Sequence, residues 1–326
     1  MKTDHHISRR HFLHTTAGLA LAAGLPFTNS LCHGAEKRRR LAVASRDVLL
    51  KTTGKPDCWA AMKEIGVSCL EVDITLDLLC PSLFHPDKKY SLANPDSVKM
   101  LADDLAANHA TITAFCMHNK FDEKLDEEVA CIRKLLPAME QLKVKIIRID
   151  VVPRKTPIDQ FLPVAVKACK AICEVADGKP VRYGIENHGR FTNNPDVLEK
   201  LFAEVGSSQL GLTLDALNLY WFGHPLESLY GIIEKFAPRV VHTHCKSVRY
   251  PEDQRNVRRP IGWEYAKYSA PIYDGDIDYK RVVAILRKVN YQADLCLENE
   301  CLKHFPPEQQ VGVLKKEIAM MKSLAS

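Results

Sequence analysis

Beyond residue 40, short apolar runs alternate along the chain with longer segments in which apolar and polar positions mix at helical spacing. Short apolar runs bounded by polar segments are typical of strands that are buried on both faces of a parallel sheet. The runs in this chain predict eight strands, at residues 41–44, 69–74, 111–116, 145–151, 181–186, 211–215, 240–244 and 295–298.

Amphipathic or capped segments lie between these runs and after the last of them. They predict eight helices, at residues 57–65, 95–108, 126–142, 157–176, 195–205, 225–236, 278–289 and 307–324. Asn94 and Asn194 each stand directly before a Pro-Asp pair. An Asn side chain can cap a helix and Pro suits the first helical turn, so both helices carry a start signal.

Strict alternation of strands and helices argues for a parallel sheet. Eight such units favour an α/β fold in which the sheet closes into a (β/α)8 TIM barrel, rather than an open doubly wound sheet. We therefore predict a single barrel domain over residues 41–326. The first strand is not followed by a glycine-rich phosphate loop, which lowers the case for a nucleotide-binding fold.

The first 35 residues have the layout of a twin-arginine signal peptide. Arg9 and Arg10 precede a modest apolar run at residues 17–27. This pattern predicts export by the twin-arginine route and a periplasmic or other extracytoplasmic location. The alternative is a chance pair of arginines before a surface helix. Because this route carries folded proteins, a metal could be acquired in the cytoplasm.

Composition is that of an ordinary globular protein. The chain has 326 residues, of which 46% are hydrophobic and 26% charged, with a net charge of +5 that gives no reason to expect a polyanionic partner. No apolar run reaches the roughly 20 residues of a membrane-spanning helix, so we expect no span in the mature protein. We interpret most of the eleven cysteines as small buried hydrophobic residues.

Four potential metal ligands lie near the ends of four predicted strands: Glu186, Asp215, His244 and Glu298. The carboxyl ends of parallel barrel strands meet around one mouth, so these side chains are expected to converge. Three carboxylates and one imidazole form a hard, mainly oxygen site that suits one Mn²⁺, Mg²⁺, Co²⁺ or Zn²⁺ ion. The alternative for each residue taken singly is a helix cap or an ion pair.

The segments IENHG, LTLDALN, VVHTHCK, YDGDIDY and LCLENE resemble the xylose isomerase-like TIM barrel superfamily, specifically its sugar phosphate isomerase/epimerase group, also catalogued as AP endonuclease family 2. The likeness runs from about residue 41 to the end. It implies that Glu186, Asp215, His244 and Glu298 bind one divalent ion and that the partner is a small sugar. The nuclease branch of the superfamily uses a larger, His-rich trinuclear zinc site. This chain has a single Glu-Asp-His-Glu set and a predicted export signal, so we expect no nucleic-acid partner.

Two departures from the family pattern leave the substrate open. Related sequences often have Lys-Asp where this chain has Lys246-Ser247. Sugar epimerases of the tagatose type usually have His where this chain has Asn218.

The candidate substrate-binding residues are His188, His118, Asn218, Lys246 and Arg255. His188 stands two residues after Glu186 and can point into the barrel mouth, whereas the alternative is an ordinary loop histidine. Lys246 could hold a substrate oxygen, orient His244 or join an ion pair at the rim. Arg255 lies in a basic segment that suits either a phosphate group or a solvated, oligomer-facing loop. We expect Glu71 and Arg148, which lie within strands, to form buried structural pairs. We expect His242 to lie deeper in the barrel and to support the metal ligands.

The predicted site suits proton abstraction next to a carbonyl. A divalent ion that holds a substrate carbonyl and the adjacent hydroxyl would stabilise an enediolate, and Glu186 and Glu298 are the candidate acid/base residues. Proton return gives isomerisation or epimerisation, whereas loss of a hydroxyl gives an inosose-type dehydration. A noncatalytic exported carbohydrate-binding barrel is the alternative of a different class, and a homo-oligomer remains open.

Overall fold

The computed structural model describes residues 40–326, so the predicted signal peptide at 1–35 lies outside the described residues and stays a prediction. The parallel strands of the barrel are β1 Ala42–Arg46, β2 Cys69–Asp73, β3 Thr111–Met117, β4 Ile146–Ile149, β5 Arg182–Glu186, β6 Leu210–Asp215, β7 Val240–Cys245 and β10 Asp294–Leu297. They close into a barrel in the order β1-β10-β7-β6-β5-β4-β3-β2. The predicted TIM barrel is confirmed, and each predicted strand overlaps an observed one.

Helices follow the barrel strands and pack around them. They are α1 Cys58–Ile65, α2 Pro95–Ala107, α3 Phe121–Leu142, α4 Phe161–Val175, α5 Pro195–Val205, α6 Ala216–Trp221, α7 Leu226–Phe236, α10 Tyr279–Lys288 and α11 Pro307–Ala325. The predicted start signals of α2 and α5 are confirmed, because the side chains of Asn94 and Asn194 cap these helices. Such a cap typically contributes about 1 kcal/mol to stability.

Two differences from the predicted helices have local causes. The helix predicted at 126–142 begins earlier, at Phe121, and its first turn is separated from the rest by the non-helical backbone of Lys124. The short helix α6 was not predicted. It starts directly after β6, where the Asp215 carboxylate accepts a 2.9 Å hydrogen bond from the backbone N–H of Asn218. A predicted metal ligand is thus also the N-cap of a helix.

A long connection between β7 and α10 folds over one side of the barrel. It contains a two-stranded antiparallel hairpin, β8 Ser247–Val248 and β9 Ser269–Ala270, and two short helices, α8 Glu252–Arg255 and α9 Tyr265–Tyr268. The guanidinium of Arg259 lies 4.3 Å from the ring centre of Tyr220 and 4.4 Å from that of Tyr250. Because Arg259 is buried, these cation–π contacts can contribute about 2 kcal/mol. They attach the connection to α6.

No helix among residues 40–326 is both long and apolar enough to cross a membrane. In the same range the cysteines are free thiols and nearly all are buried. This agrees with their interpretation as small hydrophobic core residues.

Candidate metal centre

The four predicted ligands come together at the carboxyl end of the barrel. Glu186 and Asp215 are the last residues of β5 and β6, His244 lies near the end of β7, and Glu298 follows β10. The register of the sheet places Asp215 directly across from His244. One potential ligand atom from each of the four residues lies within 4.8 Å of all the others. Parallel strands therefore deliver the convergence that the sequence predicts.

The Glu186 carboxylate is fixed on both of its oxygens. Oε2 accepts a hydrogen bond from the guanidinium of Arg148, which belongs to the neighbouring strand β4. Oε1 accepts a 2.9 Å bond from the side-chain amide of Asn218 and lies 3.3 Å from Nδ1 of His244. Asn218, predicted to bind substrate, thus holds a candidate ligand in place.

The imidazole of His244 is oriented from behind by a carboxylate. Its Nε2 lies 2.7 Å from Oε2 of Glu71, while Nδ1 lies 3.1 Å from Glu298. Glu71 therefore accepts the Nε2–H hydrogen bond, which leaves Nδ1 as the nitrogen that faces the other ligands. A carboxylate that orients a metal-ligating His in this way is a common feature of metal sites.

His242 belongs to a deeper layer of the barrel. Its Nδ1 lies 2.8 Å from Asp294 Oδ1, and its Nε2 lies 3.5 Å from Glu71. The supporting position predicted for His242 therefore fits its place in the fold.

Lys246 supplies positive charge at the same carboxylates. Its ammonium lies 3.0 Å from Asp215, 2.9 Å from Glu298 and 2.7 Å from Glu300. Burial opposes the charged form, but the surrounding carboxylates, Asp215 first, raise the pKa of Lys246 well above its usual range. On the other side of Glu298, the guanidinium of Arg46 lies 2.5 Å from Oε1.

Burial and neighbouring charges shift the pKa values of the candidate ligands in different directions. Burial would lower the pKa of His244, but the charges of Glu298 and Glu71 raise it to about 9. Burial also opposes ionisation of Glu298, yet the charges of His244 and Lys246 hold its pKa well below the usual range. Burial, only partly offset by Lys246, raises the pKa of Asp215.

The residues present fit a divalent ion. Oδ2 of Asp215 is buried and accepts no aligned hydrogen bond, with the Lys246 ammonium at 3.0 Å as a charged neighbour. Carboxylates and an imidazole in this number suit Mn²⁺, Mg²⁺, Co²⁺ or Zn²⁺. Glu186, Asp215, His244 and Glu298 are the residues that would hold the ion, with Nδ1 as the ligating atom of His244.

The remaining candidates for substrate binding divide into two groups. His188 and His118 lie at the rim with roughly half of each side chain exposed, and both face Asp150. Arg255 is not brought to the cluster. Its Nε lies 3.0 Å from Asp276 and donates to the backbone carbonyl of Tyr250, which places it in the long connection.

Charged residues that sequence reasoning did not single out complete the site. Arg46 comes from the end of β1, Asp73 from the end of β2, Asp150 from the residue after β4, and Glu300 from the loop after β10. Each lies at or just beyond the carboxyl end of a barrel strand. That position was the available signal, since charged residues there point toward the mouth.

Replacing Glu71 with Gln is expected to weaken binding of a divalent ion by about 10–100-fold, the range found for partners that support metal ligands. Gln fills the same space, but it removes the charge that orients His244 at 2.7 Å. Isothermal titration with Mn²⁺ measures the change. Asp294→Asn is the matched control, since this buried acid contacts His242 instead. Equal losses in both variants would contradict a specific role for Glu71.

Comparison with known proteins places this geometry in context. The model of a family described as xylose isomerase-like TIM barrel matches residues 59–324. An inosose dehydratase from Glaesserella parasuis serovar 5 is 24% identical over 134 residues, which are 40% of this chain and 44% of that protein. The match therefore spans less than half the length of this curated relative.

Two solved structures share the fold at low sequence identity. The crystal structure of the IOLI protein with a bound zinc atom has a TM-score of 0.64 and 15% identity, covering 87% of this chain and 98% of that one. The D-allulose 3-epimerase from Methylomonas sp. in complex with D-allulose has a TM-score of 0.58 and 13% identity, covering 87% of this chain and 98% of that one. At these identities the likeness concerns the fold alone.

Proposed function

Because the chain belongs to the xylose isomerase-like TIM barrel family, we propose that it is a divalent-metal-dependent enzyme that isomerises or epimerises a sugar or keto-sugar. The observation that carries the proposal is the cluster at the barrel mouth. Glu186, Asp215, His244 and Glu298 each offer a ligand atom within 4.8 Å of the others. Two similar proteins add support for chemistry on a polyhydroxylated substrate. They are the D-allulose 3-epimerase, which shares the fold, and the inosose dehydratase.

A bound divalent ion would stabilise the negative charge that develops on substrate oxygens when a neighbouring C–H proton is removed, which makes an enediolate accessible. The chain itself supplies the groups that move the proton. Glu186 and Glu298 approach the His244 imidazole at 3.3 and 3.1 Å, so the two carboxylates flank the same point of the site.

The two carboxylates differ in exposure. The Glu186 side chain is 2% exposed and is fixed by Arg148 and Asn218. The Glu298 side chain is 14% exposed and borders the mouth. We assign Glu298 to the removal of the substrate proton, because it is the more accessible of the two. Glu186, in its protonated form, then donates its proton to the opposite face or to the neighbouring carbon, and proton exchange with water returns both carboxyl groups to their starting states.

Dehydration is the second candidate function. It is favoured by the sequence match to an inosose dehydratase over 134 residues. The first step is the same removal of a proton next to a carbonyl. The second step differs, because the C–O bond of a β-hydroxyl breaks and the hydroxyl leaves as water after it gains a proton.

The test is incubation of the purified protein in D₂O with keto-sugars and an inosose, after loading with Mn²⁺, Mg²⁺, Co²⁺ or Zn²⁺. NMR detects deuterium at the reacting carbon, and mass spectrometry separates an isobaric product from one that has lost water. Protein treated with a chelator is the control. We expect deuterium incorporation that depends on the ion. Saturable sugar binding without deuterium incorporation would contradict the proposal and favour a noncatalytic carbohydrate-binding barrel.

A further inference from the structure

Asp150 lies between two imidazoles at the rim of the barrel mouth. It follows β4, and its neighbours His118 and His188 follow β3 and β5, the strands on either side. The Asp150 side chain is 2% exposed, whereas those of His118 and His188 are 53% and 45% exposed. A buried carboxylate therefore supports two accessible imidazoles.

The carboxylate is itself held from several directions. Its Oδ1 lies 3.1 Å from the guanidinium of Arg148, and the Asp150 backbone N–H donates a 3.2 Å bond to the side chain of Asn119. Burial opposes ionisation, but the charge of Arg148 holds the pKa of Asp150 well below its usual range. Because Arg148 also binds Glu186, Asp150 is joined to the candidate metal centre through one guanidinium.

His188 is held at its backbone and on one side of its ring. The backbone N–H donates a 2.7 Å bond to the hydroxyl of Thr192. Nδ1 lies 3.1 Å from Oδ1 of Asp150. One His188 ring nitrogen also lies within 4.8 Å of a Glu186 carboxylate oxygen. Within residues 40–326, Nε2 of His188 has no hydrogen-bond partner in the protein, and 45% of the side chain is exposed.

His118 differs because both of its nitrogens face carboxylates. Nδ1 lies 3.6 Å from Asp150 Oδ2, and Nε2 lies 3.4 Å from Asp73 Oδ2. The nearby carboxylates of Asp150 and Asp73 raise the pKa of His118 to about 9. An imidazolium has no free lone pair, so His118 can only donate hydrogen bonds.

We propose that Asp150 is a positioning residue that accepts the Nδ1–H of His188, so that Nε2 of His188 accepts a hydrogen bond from a substrate hydroxyl at the mouth. The assignment rests on the proposed function, because it places a polyhydroxylated substrate beside Glu186. A neutral imidazole has one donor and one acceptor nitrogen, and the partner of the first determines the role of the second. His188 thereby recognises a hydroxyl on the part of the substrate that lies over β4 and β5.

The first experiment measures the tautomer of His188 without any substrate. The full chain is labelled with ¹⁵N-histidine, and long-range ¹H–¹⁵N correlation spectra are recorded at a pH where the ring is neutral. His188→Gln identifies the signals of His188. We expect wild-type His188 in the Nδ1–H form, and we expect Asp150→Ala to release the ring into exchange between both tautomers. His118→Gln is the matched control and should leave the His188 tautomer unchanged.

Two outcomes overturn the assignment of Asp150. They are a wild-type His188 that carries its proton on Nε2, and an Asp150→Ala protein whose His188 stays in the Nδ1–H form. A wild-type His188 that carries its proton on Nε2 overturns the assignment without any variant. An unstable Asp150→Ala protein therefore does not leave the assignment untested. Because neither spectrum depends on turnover, failure of the proposed sugar chemistry is recognised separately.

The contact with substrate is tested by kinetics on the keto-sugar that incorporates deuterium. His188→Gln is expected to raise KM by about tenfold, the value of one lost hydrogen bond, with a much smaller change in kcat. An unchanged KM would overturn the contact with the hydroxyl.

Discussion

Replacing Asp215 with Asn is expected to weaken divalent-ion binding by more than the roughly 10–100-fold caused by losing a supporting residue. The reason is that Asp215 contributes a buried carboxylate whose Oδ2 accepts no aligned hydrogen bond from the protein. Asn removes the charge but keeps an oxygen that can accept the 2.9 Å bond from the Asn218 backbone. The cap of α6 therefore survives, and the loss is confined to the site. Mass spectrometry of the metal content and titration with Mn²⁺ measure it.

The control for this variant is the same substitution at another capping residue. Asp278 caps α10 by accepting a 2.9 Å bond from the backbone of Lys280, and it lies outside the cluster. Asp278→Asn should keep full metal content. Wild-type metal content in Asp215→Asn would remove Asp215 from the ligand set and leave it as a helix cap alone.

Replacing Glu298 with Gln is expected to lower turnover of the keto-sugar by about 10²–10⁴-fold, the range typical of a lost general acid or base. The amide retains an oxygen that can face a metal ion, but it cannot accept a proton at neutral pH. Glu186→Gln is expected to have a similar effect on product formation. If Glu298 removes the first proton, Glu186→Gln should still exchange the substrate proton with D₂O, whereas Glu298→Gln should not.

Glu300 provides the matched control, because it also contacts the Lys246 ammonium but is outside the ligand cluster. Glu300→Gln should change turnover far less. Metal content is measured for each variant, so that loss of the ion is separated from loss of proton transfer. Full turnover by a metal-loaded Glu298→Gln protein would exclude Glu298 as an acid/base residue.

The barrel and the four-residue cluster were predictable because both depend on local patterns. Apolar runs define the strands, and a charged residue at a strand end is directed to the mouth of a parallel barrel. Glu186 and Asp215 illustrate this, since each is the last residue of its strand. Their convergence follows from the closure of the sheet and requires no knowledge of the loops.

Other parts of the site depend on contacts that no local pattern carries. Arg46 meets Glu298 across 252 positions of sequence. Asp150 could not be assigned, because its role depends on the imidazoles of two neighbouring strands. Glu71 was expected only in a buried pair, yet it reaches His244 at 2.7 Å. Such partners are determined by which residues lie at the same height along the barrel axis.

The seam of the barrel adds a constraint on how the site can arise. β1 and β10 pair along their length, and at the end of this seam Arg46 from the first barrel strand meets Glu298 after the last. A nascent chain that has not yet reached β10 has neither the closing strand nor Glu298. The four-residue cluster can therefore assemble only after the barrel has closed. A protein truncated before β10, or one stalled there during synthesis, would lack one of the four residues, so the complete cluster marks a closed barrel.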